Sequence, residues 1–292
     1  VISGQVPSTA IGHDAFQETD MVGVSRPIVK HSFLVTKTED IAPSIAKAYF
    51  IAKSGRPGPV VVDIPKDVTA PNKKVPYQFP KQVKMRSYQP VNRGHQGQIK
   101  RAIKTLTSSK RPIIYAGGGV IIDNASEYLT QLARRVNAPV TNTLMGLGAF
   151  PGTDPQFLGM LGMHGTYEAN SAMHHADVVF AVGARFDDRV TNEIDKFCPK
   201  ATIIHIDIDP TSVSKNINAD IPIVGRCSTV LKSMLDFIDS EKLNVDSDES
   251  VRWWDQINEW RDLHGLYTKP RYEPSKSTLI KPQDVIKAVY DV

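Results

Sequence analysis

The sequence predicts an α/β protein built on a doubly wound parallel sheet. Three observations carry this. Short continuous apolar runs such as Pro112-Ile113-Ile114-Tyr115-Ala116 suit strands buried on both faces. Between them lie segments with apolar residues at helical spacing. Glycine, arginine and aspartate gather directly after the runs, where parallel sheets place their ligand loops.

Over residues 40–67 the pattern is helix then strand. Ile41, Ile45, Ala48, Tyr49 and Ala52 share one helical face, Gly55 follows as the helix stop, and Pro59 to Ile64 is a buried strand. Val1-Ile2 reads as the tail of another buried strand. Residues 69–94 hold four prolines and no periodicity, and read as an extended inter-domain linker. A second helix carries Ile99, Ala102, Ile103 and Leu106 before the strand at 112–116. Asn124 with Glu127 resembles a capping box, opening a helix with Ala125, Leu129, Leu132, Ala133 and Val136 inward. Further strands are expected at 139–143, 177–183, 202–206 and 221–224, and a helix at about 228–239. Residues 240–250 are polar and acidic, a second linker. Trp253, Trp254, Ile257 and Trp260 mark one more amphipathic helix, expected to pack on a neighbouring domain, and 284–290 a last helix with nothing to pack on. The resulting division is 1–68, a linker at 69–94, a central domain at 95–240, and 241–292. Both ends read as cut from a longer chain.

Composition narrows the function. The 292 residues are 41% hydrophobic and 23% charged, with 35 basic and 31 acidic side chains for a net +4. The mild balance gives no reason to expect nucleic acid. Two cysteines, Cys198 and Cys227, are too few for a disulfide framework and fit a reducing, cytoplasmic setting. No apolar run approaches the roughly 20 residues that span a bilayer.

Three loops after strands share one character. Gly117-Gly118-Gly119 lets a backbone approach a bulky ligand, its amides able to hold phosphate; a tight strand-to-helix turn explains it equally. Gly183 to Val190 sets Arg185 and Arg189 around Asp187 and Asp188, forks suited to phosphate or carboxylate, or a structural ion-pair loop. Asp207-Ile208-Asp209-Pro210 offers an acid for ribose hydroxyls, or a turn capped by Asp209. A long stretch from Thr143 to Thr166, rich in Gly and Met, would line a flat aromatic ligand. His164, His174 and His175 raise a metal, but the adjacent pair cannot face one site from a helix, so none is expected. Together the loops read as a crevice for an extended dinucleotide, and no activated nucleophile is visible.

Several motifs tie the chain to a family: Gly4-Gln5-Val6-Pro7, Asp14-Ala15-Phe16-Gln17-Glu18, Lys30-His31-Ser32-Phe33, Arg56-Pro57-Gly58-Pro59, Met145-Gly146-Leu147-Gly148, Leu161-Gly162-Met163-His164-Gly165 and the Gly183–Val190 loop. In these, over essentially its whole length, the chain resembles the large catalytic subunits of the acetohydroxyacid synthase (acetolactate synthase) family. The resemblance implies three α/β domains, binding the thiamine pyrimidine, FAD and the pyrophosphate. This chain would be the second part of the first, the whole of the second and the start of the third. It implies decarboxylation of pyruvate on thiamine diphosphate with Mg2+, and condensation of the two-carbon unit with pyruvate or 2-oxobutyrate, for branched-chain amino acids. FAD is required there without net electron transfer. A homodimer with a small regulatory subunit is implied.

Residue by residue, the FAD contacts fall on Arg56, Gly117, Gly118, Gly119, Thr143 and Leu144. They continue over Leu161, Gly162, Met163 and His164, then Gly183, Ala184, Arg185, Asp187, Arg189 and Val190, ending at Asp207 and Ile208. The substrate channel falls on Pro7, Ala15, Phe16, Gln17, Lys30, Met163, His164 and Arg189, with Arg189 facing the second oxoacid. The family's catalytic glutamate is expected upstream of Val1 and its magnesium motif, G-D-G…N, beyond Val292. One departure stands out: members commonly read Gly-Asp where this chain has Gly225-Arg226, which implies a weaker hold on the adenine end. Two alternatives remain: another thiamine-diphosphate carboligase or oxidase, and a nucleotide-binding module without catalysis.

Overall fold

The computed structural model describes residues 1–245, 247–265 and 279–292. The chain forms two compact units, 1–92 and 93–292.

The first unit is a three-stranded parallel sheet in the order β1-β3-β2, from β1 (Ile2–Gln5), β2 (His31–Leu34) and β3 (Val60–Pro65). A short α1 (Met21–Ser25) and the longer α2 (Ile41–Lys53) complete it. The central β3 is the apolar one, as its Val-Val-Val run requires. Val60 and Val62 pack with Ala48 and Ile51 of α2. Gly55, at φ +58°, follows the end of α2 in the left-handed conformation that ends helices. Val1-Ile2 does enter a strand, but not a buried one: β1 lies at the sheet edge, and both residues are exposed. Met85 and Tyr88 of the extended segment pack against the core of this unit.

The second unit holds a six-stranded sheet, every neighbour parallel, in the order β6-β5-β4-β7-β8-β9. Its strands are β4 (Pro112–Ala116), β5 (Val140–Asn142), β6 (Phe157–Met160), β7 (Val178–Val182), β8 (Thr202–Asp207) and β9 (Ile221–Val224). The helices are α3 (Gln96–Thr107), α4 (Gly118–Ile122), α5 (Ser126–Val136), α6 (Tyr167–His175), α7 (Asp188–Thr191), α8 (Cys227–Glu241), α9 (Ser247–His264) and α10 (Pro282–Tyr290). One face of the sheet carries α3, α5 and α8, through Ile99, Leu106, Leu129, Leu132, Val230 and Met234. The other carries α6 and α9, through Ala169, Met173, Trp253 and Ile257. Strands are added leftward from β4 (β5, β6) and rightward from β7 (β8, β9), so the winding reverses between β4 and β7, and the carboxyl edge there is the crevice in which open α/β sheets bind ligands.

Two sequence expectations are corrected. Asn124 does not cap α5: it takes φ +52°, and Ala125 stands at the N-cap with no side-chain bond. The long stretch from Thr143 to Thr166 contains β6, and α6 follows it directly. Periodicity hides them because β6 is a four-residue edge strand with Gly159 inside it, and α6 buries only Glu168, Ala169, Ala172 and Met173. The tryptophan helix packs on the sheet of the 95–240 segment, within the same compact unit: Trp253 Nε1 donates to Pro112 O at 3.0 Å and Trp254 Nε1 to Asn137 O at 3.0 Å. In α10, Val285, Ile286, Val289 and Tyr290 are exposed.

Candidate cofactor and substrate site

In the first unit, Gln17 lies exposed at φ +65° beside the exposed Phe16, in the loop between β1 and α1. That loop is tied down by carboxylates. Ser8 donates its amide and hydroxyl to Asp67, at 2.8 and 2.7 Å, and these bonds hold the Asp67 carboxyl below its ordinary range. Gln5 Nε2 bridges Thr19 O (2.7 Å) and Asp63 Oδ2 (3.0 Å). Lys30 is turned inward: its ammonium donates to Ile51 O at 2.5 Å, Ser54 O at 2.7 Å and Tyr88 Oη at 3.0 Å. A cation at the carbonyl end of α2 also complements the helix dipole. Arg56 is exposed, next after Gly55.

In the second unit the remaining candidates meet at the carboxyl edge, because an all-parallel sheet delivers every strand's exit loop to one side. Gly117 to Gly119 follow β4; Thr143 and Leu144 follow β5; Leu161 to His164 follow β6; Gly183 to Val190 follow β7; Asp207 ends β8 and Ile208 follows it. At the switch point the β4 and β7 exits touch. Gly117 N donates to Val182 O (2.9 Å) and Gly119 N to Gly183 O (3.1 Å). A Cβ on Gly117 would stand 2.1 Å from Gly183 O, and one on Gly183 2.8 Å from Gly119 Cα. The glycines therefore let two loops pack backbone on backbone, and the amides of Gly117 and Gly119 are engaged within the protein, not open to phosphate. Gly162 serves the same purpose at the next loop: its Cβ would meet Arg189 O at 2.8 Å, so the Leu161–His164 and Arg189 loops are in contact.

The two arginines of the β7 exit loop differ. Arg185 Nη2 pairs with Asp187 Oδ2 at 2.9 Å. Asp187 also caps α7 through the amide of Arg189 at 3.2 Å, and this bond first, with Arg185, holds its carboxyl below the usual range. The Arg189 guanidinium is exposed and has no ion pair among the described residues. Asp207 is buried and accepts from the Asp209 amide at 2.8 Å, while Asp209 caps a turn through Thr211 N and Oγ1. Around this edge Leu144, Met145 and Met163 stand 69%, 77% and 61% exposed, an unusual solvation for such side chains. His164 is exposed, and the His174 and His175 rings stack edge to face at 5.0 Å. Among the described residues no cluster of three His, Cys, Asp or Glu side chains could hold a metal.

Sequence reasoning missed what lies beneath the arginine loop. Phe186, at φ +52°, is buried against Tyr115 (5.5 Å), His205 (5.1 Å) and Phe197 (5.9 Å). A polar His within the apolar run Thr-Ile-Ile-His-Ile-Asp was the available signal.

One edge thus gathers two guanidiniums, a buried acid and bared apolar side chains, groups that could hold a diphosphate, a hydroxyl and a flat ring. Residues 99–234 match the family described as "Thiamine pyrophosphate enzyme, central domain". The chain is 56% identical to the acetolactate synthase large subunit of Haemophilus influenzae over 290 residues, 99% of this chain and 50% of that protein. Acetolactate synthase isozyme 3 large subunit of Escherichia coli K12 is also 56% identical, with the same coverage. The probable acetolactate synthase large subunit of Methanocaldococcus jannaschii is 45% identical over 292 residues, 100% of this chain and 48% of that protein. The chain thus spans about half the length of the curated relatives it matches. Among the described residues no helix is long and apolar enough to cross a membrane.

Proposed function

We propose, from the premise that this chain belongs to the thiamine pyrophosphate enzyme family, that it is the FAD- and substrate-channel-bearing part of an acetolactate synthase large subunit. In that reading the whole protein decarboxylates pyruvate with thiamine diphosphate and Mg2+ and joins the two-carbon unit to a second 2-oxoacid. It works as a homodimer with a small regulatory subunit, in keeping with the "large subunit" of its relatives' names.

One observation carries the reading: Arg189, exposed and without an ion pair among the described residues, on a loop whose other arginine is already paired. A planar fork with five donors and no internal acceptor suits the carboxylate of an incoming oxoacid. Arg185, bonded to Asp187 through one of its nitrogens, keeps donors for a diphosphate. Asp207 is the acceptor for ribose hydroxyls, and Leu144, Met145 and Met163 cover a ring face and exclude water. Thr143, His164, Val190 and Ile208 complete the cofactor's surroundings at this edge; for Arg56 and Gln17, in the first unit, the cofactor and channel roles rest on the family resemblance alone. Bound FAD supplies a planar ring and no net electrons. Lys30 acts by fixing the end of α2, through the carbonyls it holds.

The test is acetolactate formation from pyruvate by the full-length enzyme with thiamine diphosphate, Mg2+ and FAD. Product is expected from the full-length protein and none from the 292-residue chain, which lacks the G-D-G…N motif. A full-length protein that forms no acetolactate overturns the reading.

A further inference from the structure

The β7 exit loop is held from below at two carbonyls. His205, in the middle of β8 and without solvent exposure, bonds through Nε2 to Ala184 O at 2.7 Å. A carbonyl only accepts, so Nε2 carries the proton and Nδ1 is left as an acceptor. That Nδ1 is buried with no hydrogen-bond partner among the described residues. Two residues on, Asn216 Nδ2 donates to Phe186 O at 2.8 Å. Between these tethers the Phe186 ring is inserted into the core, edge-on to His205, and its backbone is left-handed. A bulky residue at positive φ persists only where its surroundings over-determine it, and such residues gather at functional loops. The next residue, Asp187, caps the helix that bears Arg189.

An apolar side chain at position 205 would avoid the stranded Nδ1, whose burial is unfavourable. What it would lose is the hold on Ala184. We propose that His205 is a positioning residue: through Ala184 O, with Asn216 on Phe186 O, it sets the backbone that aims Arg189 at the second oxoacid. The inference rests on the reading of Arg189 given above. It deepens that reading by placing the control of the arginine's aim on a strand residue beneath it.

The test uses the full-length enzyme and four variants: His205→Leu, His205→Gln, Asn216→Ala and Arg189→Ala. A glutamine amide reaches about where His Nε2 lies and donates in the same direction; leucine donates nothing. His205→Leu is expected to raise KM for the second oxoacid about tenfold with kcat changed less than about twofold, the signature of lost binding. His205→Gln is expected to return KM to within about threefold of the parent, and His205→Leu to add less than about twofold in the Arg189→Ala background, since both act through one group. Amide exchange over Arg185–Val190 is expected to quicken about tenfold in His205→Leu and in Asn216→Ala, with β7 unchanged. Should His205→Leu not fold, the exposed Asn216→Ala carries the same comparison. Equal behaviour of the Leu and Gln variants, or unaltered exchange over 185–190, overturns the proposal. If Arg189→Ala leaves oxoacid use unaltered, the reading of Arg189 falls, and the exchange experiment alone decides the role of His205.

Discussion

Arg226 Nε donates to Asp123 Oδ1 at 2.6 Å, and the other oxygen of that carboxylate accepts the amide of Ser228 at 2.7 Å. Asp123, from the turn before α5, thus caps the first turn of α8, whose own N-cap residue, Arg226, makes no side-chain cap. Arg226 therefore spends its Nε and one terminal nitrogen on a carboxylate of its own unit, while its side chain stays half-exposed. Asp123→Ala is expected to destabilise the chain by about 1–2 kcal/mol, the usual cost of losing a cap. Arg226→Ala, losing a half-exposed pair, should cost less than about 1 kcal/mol. Urea unfolding midpoints check both.

That carboxyl also sets an acid limit. Burial raises its pKa, but the Ser228 hydroxyl and amide and then Arg226 outweigh burial and leave it lowered. A lowered folded pKa stabilises above the unfolded value, near 3.9, and the gain is lost as pH falls through the folded one. Unfolding measured from pH 5 down to pH 2 should show a steeper loss in the parent than in Asp123→Asn.

His205 acts at higher pH. Burial pushes its imidazole down to about 4, against the smaller opposing effect of Ala184 O. The unfolded chain, titrating near 6.5, binds the proton first, so stability is full above that pH and falls toward pH 4. At pH 5 the loss from this one group should be about 2 kcal/mol relative to pH 7. Denaturant unfolding of His205→Gln at the two pH values should lack that increment.

Gly183→Ala should be severe. The residue sits at φ +59°, and its Cβ would lie 3.0 Å or less from three backbone atoms of Gly119 and Val120. Backbone cannot yield as a side-chain tip does, so a loss of more than about 2 kcal/mol is expected, read as a fall in thermal midpoint. Gly152→Ala, at which a Cβ would meet only Phe157 Cε1 at 4.0 Å, should be nearly neutral by the same measurement.

The second unit should need α9. Trp253 and Ile257 are buried in the core beneath the sheet. A fragment of residues 93–265 is expected to unfold cooperatively, while 93–242 should lose its sharp thermal transition. A sharp transition in the shorter fragment would remove α9 from that core.

The strands and major helices of the second unit were legible because their signals are local. Ile113-Ile114-Tyr115-Ala116 is buried on both faces, and Leu129, Leu132 and Val136 mark a single helical stripe. Burial forces apolar residues onto such positions, so period and run length can be read without coordinates. The glycine, arginine and acid loops were legible for a related reason: once the strands are parallel, all their exit loops share one edge. Three things were not legible. Whether Gly117 made room for a ligand or for Gly183 depends on a loop 66 residues away. That Lys30 faces the carbonyls of Ile51 and Ser54, while Arg189 has no ion pair among the described residues, depends on which acceptors the fold brings near each cation. The partnerships of Asp123 with Arg226 and of His205 with Ala184 join residues far apart in sequence. Composition and spacing specify which chemistry each segment carries. Only the tertiary structure decides which donors and acceptors are consumed within the protein and which remain for a ligand, because hydrogen bonds are short and directional and are satisfied across the chain.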